Sequence, residues 1–79
     1  MLAYRTTLAL ALLKQGKMTE AAAIYKGWTI DWTNTQDRYK AIYAAVMRAA
    51  GREYEARQVA SKIKVESLRP EERKLAGMP

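Results

Sequence analysis

Residues 11–25, ALLKQGKMTEAAAIY, and residues 46–60, VMRAAGREYEARQVA, carry the same punctuation. In each, an alanine-rich run ends at a glycine (Gly16, Gly51) and an alanine follows five positions later (Ala21, Ala56), so the stretches align at a spacing of 35 residues. Self-similarity of this length marks arrays of helical pairs. The physical unit is a helical hairpin: glycine takes the left-handed conformation that ends a helix without a Cβ penalty. A small residue just inside the next helix then lets two helices approach closely. Thr19 is expected to cap the second helix of the first unit, with Glu20 complementing its N-terminal dipole.

Working outward from the two glycines, helices are expected near residues 2–15, 19–28, 36–50 and 53–64. Leu8, Leu12, Ile24 and Tyr25 are expected to supply bulk around Ala21, and Tyr43, Met47 and Val59 to do so around Ala56. In the tail ESLRPEERKLAGMP (66–79) a fifth, short helix is expected. Pro70 suits its first turn, Glu71 and Glu72 its N-terminus, Arg73 and Lys74 its C-terminal half, and Gly77 its stop. With Leu68 and Leu75 facing inward it would cover the open end of the second unit, as a repeat array requires. The expected fold is therefore all-α: two antiparallel helical hairpins, 1–34 and 35–66, plus a capping helix and tail, 67–79, forming one domain.

At 79 residues the chain is close to the size at which a single core only just offsets chain entropy. Alanine, leucine, lysine, arginine and glutamate dominate, which is a helical composition. There is no cysteine and no histidine. Disulfides, thiol catalysis, the usual zinc sites and imidazole chemistry are thereby excluded, and no cofactor is expected. Asp31, Asp37, Glu20 and Glu55 fall in no spacing that implies a paired acid/base site, and there is no glycine-rich phosphate loop or nucleophile elbow, so the chain does not read as an enzyme. The run LALALL, 8–13, is too short for a signal-peptide core, and Lys14 and Lys17 follow it without a cleavage site. No segment reaches the ~20 apolar residues of a membrane span. The expectation is a soluble, cytoplasmic protein.

The stretches LALALLKQGKMTEAAAIYKGW (8–28) and AIYAAVMRAAGREYEARQVASKI (41–63) resemble tetratricopeptide repeats. The resemblance lies in the bulky–small pairs Leu8–Ala9 and Tyr43–Ala44, the turn glycines, the pairs Glu20–Ala21 and Glu55–Ala56, and the further apolar positions Tyr25 and Ala60. The chain departs from that pattern at Arg5 and Lys40, where an aromatic is usual, at Trp28 and Ile63, where an alanine is usual, and in lacking the proline that follows. It looks like a terminal or divergent two-repeat piece of a longer bacterial repeat protein. The resemblance implies a scaffold whose first helices line a groove for a peptide or partner helix. Position by position that face is Ala3, Thr6, Leu10, Leu13 and Lys14 in the first unit and Arg38, Ala41, Ala45, Arg48 and Ala49 in the second. The mixture suits an apolar or amphipathic segment with some negative charge. Thr6 and Leu10 stand where a carboxylate clamp would need lysine and asparagine, so that activity is not implied.

Leu10 and Leu13 lie off the expected core stripe and need a cover. A partner, a second copy of the chain, or tail residues such as Leu75 would each provide one. GWTIDWTN, 27–34, holds both tryptophans. Trp28 is expected in the core at the end of the second helix, Thr33 or Asn34 is expected to cap the third, and Trp32 is either a clasp or a binding anchor. The net charge of +6 favours anionic partners in general. The alternative to a protein-interaction scaffold is a small basic nucleic-acid-binding domain, with the basic residues of the second unit on phosphates and Tyr39, Tyr43 or Trp32 on bases. The commoner meaning of Arg52, Arg57 and Lys62 is a solvated face paired with Glu53, Glu55 and Glu66.

Overall fold

The computed structural model describes residues 2–75, with Val65 by its backbone alone, and Gly77. Five α-helices follow one another: α1 (Leu2–Lys14), α2 (Met18–Ala23), α3 (Asp37–Ala49), α4 (Glu53–Ala60) and α5 (Pro70–Leu75). Single turns of 3-10 helix lie at Trp32–Asn34 and Val65–Ser67. There is no strand among the described residues, and no helix among them is long and apolar enough to cross a membrane. The all-α expectation is met. The capping element 67–79 is seen as far as Leu75 and at Gly77; Ala76, Met78 and Pro79 lie outside the described residues.

The two glycine turns are built alike, bond for bond. The Gly16 N–H donates to the Leu13 carbonyl at 3.0 Å and the Lys17 N–H to the Leu12 carbonyl at 2.9 Å; the Gly51 N–H donates to Arg48 at 3.1 Å and the Arg52 N–H to Met47 at 2.7 Å. This is the Schellman pattern, and it needs the φ values of +79° and +82° found at the two glycines. The next helix then starts without a side-chain cap on the residue after the glycine, Lys17 or Arg52, so Thr19 does not cap α2 as expected. Its N–H lies inside the helix, one position past the start.

Both second helices end earlier than the sequence suggests. After Ala23 the bonds tighten to the i−3 type, Ile24 to Ala21 and Tyr25 to Ala22, both at 3.2 Å, and after Ala60 the same happens from Lys62 and Ile63. Tightened bonds satisfy the last carbonyls of each helix, and the turns they form carry Tyr25 and Ile63 into the interior.

The core is made of small residues. Ala9, Ala21, Ala44 and Ala56 are each 0% exposed, and they form two pairs related by the 35-residue offset. They cluster with Ala22, Tyr25, Val46 and Met47, while Leu12, Ile24, Ile30 and Tyr43 pack against them from outside. A second cluster, Ala41, Ile63 and Leu68, fastens the chain that leads into α5 to the start of α3. Helix α3 touches every other α-helix.

The first helix departs most from expectation. Its apolar residues fall on more than one face, and the small side chains Thr6 and Ala9 turn inward instead of Leu8, which is 38% exposed. Close helix approach favours the small face, and Tyr4, 70% exposed, stays outside with Leu8 one turn on. The hydroxyls of Thr6 and Tyr25 are buried without a well-formed hydrogen bond among the described residues. Burial raises the Tyr25 pKa, against a lowering from the neighbouring Thr6 hydroxyl, so the phenol is neutral at physiological pH.

The two cations that break the repeat pattern have related roles. Arg5 Nη1 donates to the Ile24 carbonyl at 3.1 Å and Lys40 Nζ donates to the Lys62 carbonyl at 3.2 Å. Each reaches from a first helix to a carbonyl at the end of the following one, where the dipole favours positive charge.

Candidate functional site

The residues expected to bind a partner do not share one face; Ala3 and Ala49 are exposed. Thr6, Ala41 and Ala45 are in the interior, 1%, 0% and 9% exposed, and are withdrawn from any groove; their small size is used to bring helices together. Leu13 is half-buried against the main core. Arg48 is engaged within the chain: its Nε donates to Glu53 at 2.9 Å, and a Cβ at Gly77 would collide with its Nη1. The Arg48 hydrogen bond is the largest influence holding the Glu53 pKa below the ordinary carboxylate range.

Trp32 belongs to a clasp. The Asp31 carboxylate accepts from the Thr33 N–H at 3.2 Å and from Asn34 Nδ2 at 2.7 Å, and so caps the short turn that starts at Trp32. The indole lies 4.6 Å from the Tyr43 ring, which in turn meets Tyr25 edge-on at 4.9 Å. The three rings tie the linker to α3 and to the end of α2. Thr33 and Asn34 therefore serve this turn, and Gln36, with no side-chain bond of its own among the described residues, precedes α3. Trp28 is half-buried outside the main core, with the Arg5 guanidinium 4.1 Å from its ring centre.

Leu10, Lys14 and Arg38 do come together. They line a groove of about 370 Å³ between α1, α3 and α5, whose apolar floor is Leu10, Ile42 and Leu75. Lys14 and Arg38 stand on its walls with Glu71 and Glu72. Arg38 leans over the Tyr39 ring at 5.2 Å, and Lys14 has no ion pair among the described residues. Helix α5 reaches the groove because its start is fixed: Pro70 fills the first helical position and Glu72 Oε1 accepts from the Arg69 N–H at 2.9 Å, the returning half of a capping box. Leu75 thus shares the floor with Leu10, as a folded-back tail would have it, yet the groove above both stays open. Ile42 escaped notice in the sequence, although it lies one turn after Arg38 and so on the same face.

Beside the groove lies a polar network around Asp37. Its carboxylate pairs with Lys40 Nζ at 2.9 Å and accepts hydrogen bonds from the Lys64 N–H at 3.2 Å and the Ser67 hydroxyl. Burial works to raise the Asp37 pKa, but the Ser67, Lys40 and Lys64 donors together with the Lys40 charge outweigh it and hold it below 3.8. Lys40 is 5% exposed. The network joins the start of α3 to the connection between α4 and α5, and nothing in the sequence spacing announces it.

No group of His, Cys, Asp or Glu able to hold a metal ion occurs among the described residues. No family model, curated protein or solved structure matches the chain.

Proposed function

We propose that the chain is a non-catalytic protein-interaction module of the tetratricopeptide type, which binds a peptide or helix of a partner protein in the groove between α1, α3 and α5. The observation that carries this reading is the open apolar floor of Leu10, Ile42 and Leu75 with charged side chains of both signs on its walls. An apolar floor with a few polar groups at the rim suits an amphipathic segment. The 35-residue correspondence of glycine turns, buried alanines and cation-to-carbonyl bonds supports the repeat reading.

Amide chemical shifts of the labelled protein, followed during titration with an amphipathic leucine-rich peptide, test it. Shifts centred on Leu10, Lys14, Ile42 and Leu75 are expected, and they should vanish in Leu10→Asp that remains folded. Saturable shifts confined to another surface would remove the groove from the reading.

A second reading draws on the outer face of α1, where Tyr4 and Leu8 are exposed on a helix with apolar residues on more than one face. Such a helix favours a second copy of the chain as its cover. Light scattering across a concentration series separates the two: self-association through this face predicts a mass that rises with concentration and is returned to that of the monomer by Leu8→Glu.

A further inference from the structure

We infer that the apolar groove is one end of a longer trough, and that the trough takes a peptide segment with apolar side chains at one end and carboxylates at the other. The inference rests on the reading of the groove as a peptide site. A second cleft, of about 390 Å³, shares Arg38 and Glu72 with the groove and has Ser67 and Arg69 on its sides. Beyond Gln36 and Asp37 lies a third cleft, about 460 Å³, bounded by Thr33, Thr35, Lys62 and Lys64. The three sections succeed one another across a molecule whose extents are 30 × 23 × 23 Å. At ~3.3 Å per extended residue, that span admits about seven to nine residues.

Polarity changes along the trough. The floor of Leu10, Ile42 and Leu75 lies at one end alone. Towards the other end the carboxylates are already committed, Asp37 to Lys40, Ser67 and the Lys64 N–H, and Glu72 Oε1 to the Arg69 N–H. The ammonium groups of Lys62 and Lys64 and the guanidinium of Arg69 have no ion pair among the described residues. Arg38 leans on Tyr39 and is not paired with a carboxylate. The free charge from Arg38 to Lys64 is thus positive, and its complement is an acidic stretch. A single-stranded nucleic acid is the poorer fit. No aromatic ring among the described residues lines any of the three sections to stack a base, and the apolar end would be left uncovered.

Fluorescence anisotropy tests the inference with a labelled peptide of about nine residues that has leucines at one end, glutamates at the other and both termini blocked. Its companions are a version with glutamine for every glutamate and one with serine for every leucine. The protein is compared with Lys62→Glu/Lys64→Glu, whose two side chains are exposed and whose fold is checked by circular dichroism. The parent peptide is expected to bind about tenfold more tightly than the glutamine version, each exposed pair contributing a few-fold. In the doubly substituted protein that advantage is expected to disappear, and moderate salt should erode it in the original. Equal binding of the parent and glutamine peptides overturns the inference and leaves the groove reading standing. Equal binding of the parent and serine peptides also overturns it, since the apolar end is then unused. Failure of every peptide to bind removes the underlying reading itself. Displacement of the parent peptide by a single-stranded oligonucleotide at lower concentration than by unlabelled peptide assigns the basic end to nucleic acid and overturns the inference.

Discussion

Replacing Asp37 by alanine should unfold much of the stability of this chain, through the lysine it leaves behind. The carboxylate supplies Lys40 with a partner at 2.9 Å and receives the Lys64 N–H and the Ser67 hydroxyl. The Lys40 side chain is 7% exposed, so without Asp37 its ammonium keeps only the Lys62 carbonyl at 3.2 Å. Removing one member of a buried pair costs ~3–5 kcal/mol, mostly as the penalty of the stranded charge, and the 16% exposure of Asp37 places this pair at the lower end of that range. A domain of this length has about 4–12 kcal/mol in total, at ~0.05–0.15 kcal/mol per residue. Urea unfolding followed by circular dichroism measures the loss. With a slope of about 1 kcal/mol/M the midpoint should fall by ~3 M or disappear. The stranded-charge account makes a sharper demand: adding Lys40→Met to Asp37→Ala should recover a large part of the loss. Lys40→Met alone should cost less than Asp37→Ala, because its carboxylate keeps two donors. A loss under ~1 kcal/mol for Asp37→Ala, or no recovery in the double variant, would refute the reasoning.

The same carboxylate sets an acid limit: its pKa is held below 3.8, so its contribution is complete above the unfolded value and is lost as the pH falls through the lower folded one. Thermal melts from pH 6 downward should show a drop below about pH 4 that Asp37→Asn flattens. Gly16→Ala and Gly51→Ala should each cost ~1–2 kcal/mol, and nearly the same amount, because both sites have positive φ and open space around the missing Cβ, leaving backbone strain alone. On α1, Tyr4→Glu, at a site 70% exposed, should change stability by less than about 0.5 kcal/mol, whereas Ala9→Leu should cost ~1–3 kcal/mol by overpacking a fully buried site. Trp32→Ala should lower stability by ~1–3 kcal/mol through the lost stack on Tyr43 and its half-buried area, and peptide binding by the remaining folded protein should be unchanged.

The helical class, the glycine turns and the tail helix could be read from the chain because each rests on local chemistry: alanine-rich runs, glycine at a left-handed position, proline followed by two glutamates. Choosing a buried face is a different problem. On α3 charge is no guide to the solvent side, since Lys40 is 5% exposed, and α1 has apolar residues on more than one face; Thr6 and Ala9 turn inward because their size lets α1 lie close to its neighbours. Of the expected face, Leu10, Lys14 and Arg38 meet in one groove, while Thr6, Ala41 and Ala45 were assigned outward where packing needed them inside. The Asp37 network was invisible for another reason. Its donors Lys64 and Ser67 are 27 and 30 positions away, and only the folded chain brings them together. Neither Trp28 nor Arg5 alone suggests the other in the sequence, and the ring-to-guanidinium contact explains why the indole lies outside the core and a cation stands at position 5.

Helix α3 touches each of the other four α-helices, and this governs how the chain can come apart. In a long linear array each unit contacts only its neighbours, so ends fray while the middle holds. Here there is no middle unit to retreat to. Opening α3 exposes the faces that α1, α2 and α4 pack against it and the anchorage of α5 at once, so partial unfolding offers little advantage over complete unfolding. The slowest-exchanging amides of α1 and α4 should therefore report one shared opening free energy. A segment seated in the trough, which would touch both α1 and α3, would also slow exchange in α2, which lines no section of it.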